Sequence, residues 1–118
     1  MSFPDRLVEN SSMTKKQLEA IISYMRVSRG EMKLREASSA MPGGPIKIGS
    51  FYGMVNQARK NFREALLTVL IGIWVDAIRL DDVRKLFELV GVGSRELSEQ
   101  DEERFLQVLG ALLDRMVV

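Results

Sequence analysis

Residues 42–63 read Pro42-Gly43-Gly44-Pro45-Ile46-Lys47-Ile48-Gly49-Ser50-Phe51-Tyr52-Gly53-Met54-Val55-Asn56-Gln57-Ala58-Arg59-Lys60-Asn61-Phe62-Arg63. This stretch decides the fold. Two prolines and two glycines within four residues cannot continue a helix and mark a tight connection. Gly49-Ser50 is then a natural helix start, with Ser50 as the N-cap. Phe51, Val55, Ala58, Phe62, Ala65 and Leu66 recur at helical spacing and make one side apolar. No proline follows Pro45. The spacing predicts one long helix over about 50–78, with a kink expected near Gly72. Its second half, Leu66 to Val75, is apolar nearly all round. Such a helix is expected to be buried on all sides, in the centre of the domain or in a subunit interface.

Upstream, Met32 to Met41 forms a shorter helix, with Leu34, Ala37, Ala40 and Met41 inward and Lys33, Arg35 and Glu36 toward water. Before it, Thr14-Lys15-Lys16-Gln17 fits a capping box, and Leu18, Ile21, Ile22 and Met25 make an apolar stripe. Gly30 is the expected stop. The first ten or so residues show little periodicity and are expected to be a lead-in or a short docked turn. Downstream, a helix is expected from about Asp82 to Val90, capped by Asp81 or its neighbour and ended by Gly91-Val92-Gly93. Ser98-Glu99-Gln100-Asp101 opens the last helix, with acidic residues where the helix dipole favours them. Its stripe, from Phe105 to Val117, is wide for a lone terminal helix, and part of it is expected to pack on another chain. No strand signal survives. Pro45 to Ile48 could add a short extended piece, but nothing obvious pairs with it.

The expected fold is therefore all-α, with about five helices in a single domain spanning residues 1–118. Residues 14–63 form a helix-turn-helix DNA-binding portion. Residues 64–118 form the core and dimerisation portion, with the long buried third helix and C-terminal packing helices. A chain of 118 residues is long enough for such a core without staples.

Composition narrows the chemistry. There is no cysteine and no histidine. Disulfides, thiolate metal sites, the commonest nucleophile–base pairs and the commonest zinc ligands are all absent. Asp81-Asp82 and Asp101-Glu102-Glu103 sit at helix starts, where capping and the dipole account for them. No catalytic residue, metal or cofactor is assigned, and an enzyme is not expected. The longest apolar stretch, Ala65 to Ala77, is broken by Thr68, Gly72 and Asp76 and is too short for a membrane span of about 20 residues. The amino terminus shows no secretory signal, so the cytoplasm is the expected location and no membrane partner is expected.

Charge supplies the first functional hint. Residues 1–63 carry eleven basic and five acidic side chains, net +6, and residues 64–118 carry six and eleven, net −5. A chain of net charge +1 can thus present a basic face to an anionic partner. A short helix, a glycine-containing turn and a second helix with a polar, basic front is the helix-turn-helix layout. In that layout the second helix enters the major groove. The side of the long helix away from its apolar stripe presents Tyr52, Gly53, Asn56, Arg59, Lys60 and Arg63. Arginine can bond guanine bidentately and asparagine can do the same to adenine. Lysine and tyrosine reach phosphate oxygens. The helix start near Ser50 offers free amides to a phosphate. Lys33, Lys47 and Arg35 could add flanking phosphate contacts. The expected DNA-binding set is Lys33, Lys47, Ser50, Tyr52, Asn56, Arg59, Lys60 and Arg63.

Gly49-Ser50-Phe51-Tyr52 resembles the start of the recognition helix in many bacterial and archaeal one-component regulators. The longer run Phe51 to Phe62, an apolar helix after it, and Asp82-Val83-Arg84-Lys85-Leu86 resemble small helix-turn-helix proteins of crenarchaea. The resemblance covers roughly residues 30–90 and rests on short motifs. It implies a DNA-binding fold, with Tyr52, Asn56, Arg59 and Lys60 on the reading helix. The Pro42-to-Pro45 turn is longer and stiffer than that family's usual turn. The resulting expectation is a homodimer on double-stranded DNA, a transcriptional regulator with sequence-specific or architectural binding. The alternative is a helical protein–protein interaction or assembly module whose basic face is idle.

Overall fold

The computed structural model describes residues 3–93 and 98–117. Met1 and Ser2, which open the stretch searched for a secretory signal, lie outside them. The described chain is all-α. It contains α1 (Phe3–Val8), α2 (Lys15–Ser28), α3 (Leu34–Ser39), α4 (Ile48–Trp74), α5 (Leu80–Gly93) and α6 (Glu99–Met116). The extra helix relative to the five expected is α1, where the sequence shows too little periodicity to announce it. No strand occurs among the described residues, and an isolated antiparallel bridge joins Ile78 to Val117. No helix of the described residues is long and apolar enough to cross a membrane.

Helix ends follow local chemistry. The Thr14 hydroxyl accepts the Gln17 amide at 3.1 Å, and the Gln17 side chain accepts the Thr14 amide at 3.1 Å, completing the capping box. α2 ends in a Schellman motif. Glu31 N–H donates to the Arg26 carbonyl and Gly30 N–H to that of Val27, both at 3.0 Å. Gly30 has φ +76°, a conformation glycine adopts without strain. Ser98 caps α6 by accepting the Asp101 amide at 3.2 Å.

Several expected boundaries move: α3 spans Leu34–Ser39 where Met32 to Met41 is expected, and α5 runs on through Gly91-Val92-Gly93, the expected stop. α4 starts at Ile48, so Ser50 lies inside its first turn and does not cap it. The Lys47 carbonyl accepts the first helical amide, that of Phe51, at 2.9 Å. The helix can start this early because the Ile46 amide is tied to the Ser38 carbonyl at 3.0 Å, which sets the direction of the chain. α4 ends at Trp74 instead of near residue 78. Asp76 turns to φ +62°, and the amides of Ala77 and Ile78 both donate to the Gly72 carbonyl, at 2.8 and 3.0 Å. The expected feature near Gly72 is thus the anchor of a stop. α5 starts at Leu80, which places Asp81 and Asp82 in its first turn.

The chain divides into two compact units, Met1–Ala65 and Leu66–Val118. In the first, α1 packs on α2 and α2 on α3. Ala20, Ala37, Met41, Phe51 and Val55 form the core, edged by Ile21, Tyr24, Val27 and Met54. Phe51 and Val55 are fully enclosed, each contributing about 1.5–3 kcal/mol of burial. The connection from Ala40 to Lys47 keeps Met41 buried and bends at Gly43 and Gly44, with φ +90° and +118°. In the second unit α5 packs on α6 around Val83, Leu112 and Met116, with Ile73, Ile78, Leu86 and Leu89 against them.

The packing narrows one expectation, that the apolar half of α4 is buried in the centre of the domain or in a subunit interface. The apolar half of α4 is not buried within the chain. Leu66, Leu70, Ile71 and Trp74 are 66%, 60%, 63% and 89% exposed. The small core of the second unit needs only the side bearing Ile73 and Gly72, so the rest of the circumference faces outward.

Candidate nucleic-acid interface

All eight residues singled out for DNA contact belong to the first unit and all are exposed. They fall into three groups. The first is an outward strip on α4. At about 100° per residue from the buried Phe51, Lys60 lies opposite, with Asn56 and Arg63 beside it at roughly 140° and 120°. Gly49 and Gly53 share this strip and leave it low, since a Cβ at either would meet nothing within 4 Å. A strip with a glycine floor lets a phosphate backbone approach the helix closely.

The second group is Tyr52 and Arg59, at about 100° and 80° on the same wheel. Both lean toward Tyr24 of α2. The Tyr24 and Tyr52 rings meet edge to face, 6.3 Å between centroids and 64° between planes. The Arg59 guanidinium stands 5.7 Å from the Tyr24 centroid. Tyr52 and Arg59, expected on the front with Lys60, occupy its flank and are braced by Tyr24, a neighbour not among the expected site residues. Tyr24 falls one residue from Met25 in the α2 stripe, and that adjacency was its only signal.

The third group is peripheral. Lys33 takes the N-cap position of α3 without a side-chain capping bond. Lys47 precedes α4, and Ser50 sits in its first turn. Lys16 lines a hollow of about 90 Å³ with Met41, Met54 and the Pro42-to-Ile46 turn.

Other polar groups on these helices serve the fold. The Gln17 Oε1 that accepts the Thr14 amide also accepts Asn61 Nδ2 at 2.8 Å, and Gln17 Nε2 donates to Gln57 Oε1 at 3.2 Å. One amide thus closes the α2 cap and ties it to α4. Arg26 and Arg29 lie 3.4 and 3.9 Å from Glu31 and share its single negative charge. Lys60 lies 3.7 Å from Glu64, both well exposed. An exposed pair of this kind is worth at most about 1 kcal/mol and yields to a phosphate.

The second unit offers a different chemistry. An open hollow of about 500 Å³ is lined by Lys85, Leu89, Val108, Ala111, Leu112 and Arg115. Its walls are aliphatic with two cations. Arg115 is also committed to Asp82, 3.3 Å away.

Comparison with protein-family models, with curated proteins and with solved structures finds no match to this chain.

Proposed function

We propose that this chain binds double-stranded DNA through the outward strip of α4, as a cytoplasmic homodimer that regulates transcription. The observation that carries the reading is the strip itself. Asn56, Lys60 and Arg63 project from one side of a helix whose opposite side is locked into the core by Phe51 and Val55. They do so within a segment of net charge +6. A rigid helix with a basic, amide-bearing front is what base-edge and phosphate contacts require. Arg59 and Tyr52 supply the flank, and Lys33, Lys47 and Ser50 the phosphate contacts around it. The resemblance to crenarchaeal helix-turn-helix proteins points the same way. The eight-residue connection from Ala40 to Lys47, longer than the usual turn of that motif, makes this a variant of it.

The test is a gel-shift titration with mixed-sequence duplex DNA at two salt concentrations. Affinity should fall steeply with salt, because phosphate neutralisation releases counterions. Absence of binding at low salt would sink the proposal. A second reading, an assembly module with an idle basic face, draws on the exposed apolar half of α4. Its association would respond little to salt or strengthen.

A further inference from the structure

Two turns of α4 in the second unit are covered on one side only. Ile73 joins the core of Val83, Leu112 and Met116, and Gly72 lies against Ile78. On the other side Leu67, Leu70, Ile71 and Trp74 are 54%, 60%, 63% and 89% exposed, while Leu66, in line with Ile73, and Val75, just past the helix end, are 66% and 62% exposed beside them. Leu67, Leu70, Ile71 and Trp74 stand at i, i+3, i+4 and i+7, the spacing of a single helical stripe.

Area and charge decide what covers it. At these fractions each aliphatic side chain shows on the order of 100 Å² and Trp74 about 200 Å², so the four-residue stripe presents on the order of 500 Å², and Leu66 and Val75 raise the exposed apolar area of the segment to on the order of 700 Å². The largest apolar patch on an ordinary monomer is about 300–600 Å². A stable two-protein interface takes about 800 Å² from each partner. The stripe supplies more than half of that need, and Leu66 and Val75 beside it bring the segment close to it. No charged residue occurs from Leu66 to Val75, as in interface centres, which are depleted of charge. A lipid surface fits poorly. Helices that lie on membranes carry lysine and arginine alongside the apolar face, whereas the cations of α4, Arg59, Lys60 and Arg63, all precede the stripe and residues 64–118 have a net charge of −5.

We infer that a second copy of this chain covers the stripe, with Leu67, Leu70, Ile71 and Trp74 of each α4 meeting their counterparts across a two-fold axis. This rests on the homodimer part of the proposed function and names its seam. A two-fold contact is self-complementary, so an uncharged apolar stripe meets its own image without burying a charge.

Trp74 is the only tryptophan in the chain and reports the seam directly. The experiment is sedimentation equilibrium of the full chain from low to high micromolar concentration, with Trp74 emission read on the same samples and no DNA present. The expected result is a doubling of mass accompanied by a blue shift of the emission. Leu70→Glu keeps the reporter and should weaken association at least ~30-fold, the hot-spot threshold, with helicity by circular dichroism unchanged. Trp74→Ala removes bulk without adding charge and should weaken it to a similar degree. A wild type that stays monomeric overturns the inference. So does a dimer whose Trp74 emission does not shift, or one that survives both substitutions. A Trp74 shift on anionic vesicles with no doubling of mass would reassign the stripe to lipid. Because no DNA is used, failure here leaves the DNA reading standing. Loss of gel shift in a Lys60 or Arg63 variant that still dimerises would do the reverse.

Discussion

The Arg59 guanidinium lies over the Tyr24 ring at 5.7 Å, joining the flank of α4 to α2. An arginine stacked this way is held extended before any ligand arrives, so less side-chain entropy is lost when it binds. An exposed cation–π contact is worth about 0.5–1 kcal/mol. Tyr24→Leu should cost about that in chemical denaturation, and a double-mutant cycle with Arg59→Ala should recover a coupling of the same size. In DNA titrations Arg59→Ala should weaken binding and relax sequence preference. Lys47→Ala should weaken binding evenly across sequences. If both changes leave affinity intact at moderate salt, this face of the protein does not bind DNA.

Lys60 and Glu64 make opposite predictions. Removing one phosphate contact lowers the dependence of log affinity on log salt by about one unit. Lys60→Ala should show that decrease in a salt series. Glu64→Gln frees Lys60 from its 3.7 Å partner and removes a negative charge from the strip. It should tighten binding a few-fold at low salt and little at high salt, where screening already weakens the pair.

Gln17 carries both a local and a long-range task. Its side chain bonds Thr14, Gln57 and Asn61. Thr14→Ala removes only the cap and should cost ~1 kcal/mol. Gln17→Ala also leaves the part-buried Asn61 amide without its 2.8 Å acceptor. It should cost about 1.5–3 kcal/mol, adding the loss of a net hydrogen bond to the cap. Thermal melts of the two variants measure the difference.

Asp82 is 5% exposed and 3.3 Å from Arg115, and its Oδ2 has no hydrogen-bond partner among the described residues. Breaking a buried pair costs several kcal/mol, but the Arg115 side chain is 58% exposed. That exposure reduces the expected cost of Arg115→Ala to about 1–2 kcal/mol. Asp82→Asn in the Arg115→Ala background should recover part of the loss, because a neutral amide tolerates burial better than a lone carboxylate. Urea denaturation of the single and double variants is the measurement.

At Gly72 an added Cβ would come within 2.5 Å of Ile78 Cδ1 and 2.8 Å of Cγ1. Helix propensity favours alanine here by about 1 kcal/mol, while overpacking costs about 1–3 kcal/mol. Gly72→Ala should therefore be neutral to destabilising by about 2 kcal/mol. The double variant with Ile78→Ala should lose less than the two single losses combined, as a double-mutant cycle would show.

What the sequence by itself determined is whatever residues within a few positions of one another decide. The Thr14–Gln17 box, the Gly30 stop, the Ser98 cap and the Pro42-to-Pro45 break are local matches of side chain to backbone, and they made an all-α chain legible. The inward stripe of Phe51, Val55 and Ala58 was readable because helical period alone sorts the sides of a helix. Only the tertiary structure could decide what each outward side meets. Asn61 reaches Gln17 across 44 positions, Arg59 leans on Tyr24 and so leaves the front to Asn56, Lys60 and Arg63, and Ile46 ties to Ser38 and moves the start of α4 ahead of Ser50. The apolar run from Leu66 to Val75 shows the limit most sharply. Its composition demands burial, but burial is a property of neighbours. The second unit is too small to surround a helix, so it covers one side and leaves Leu67, Leu70, Ile71 and Trp74 to water or to a partner.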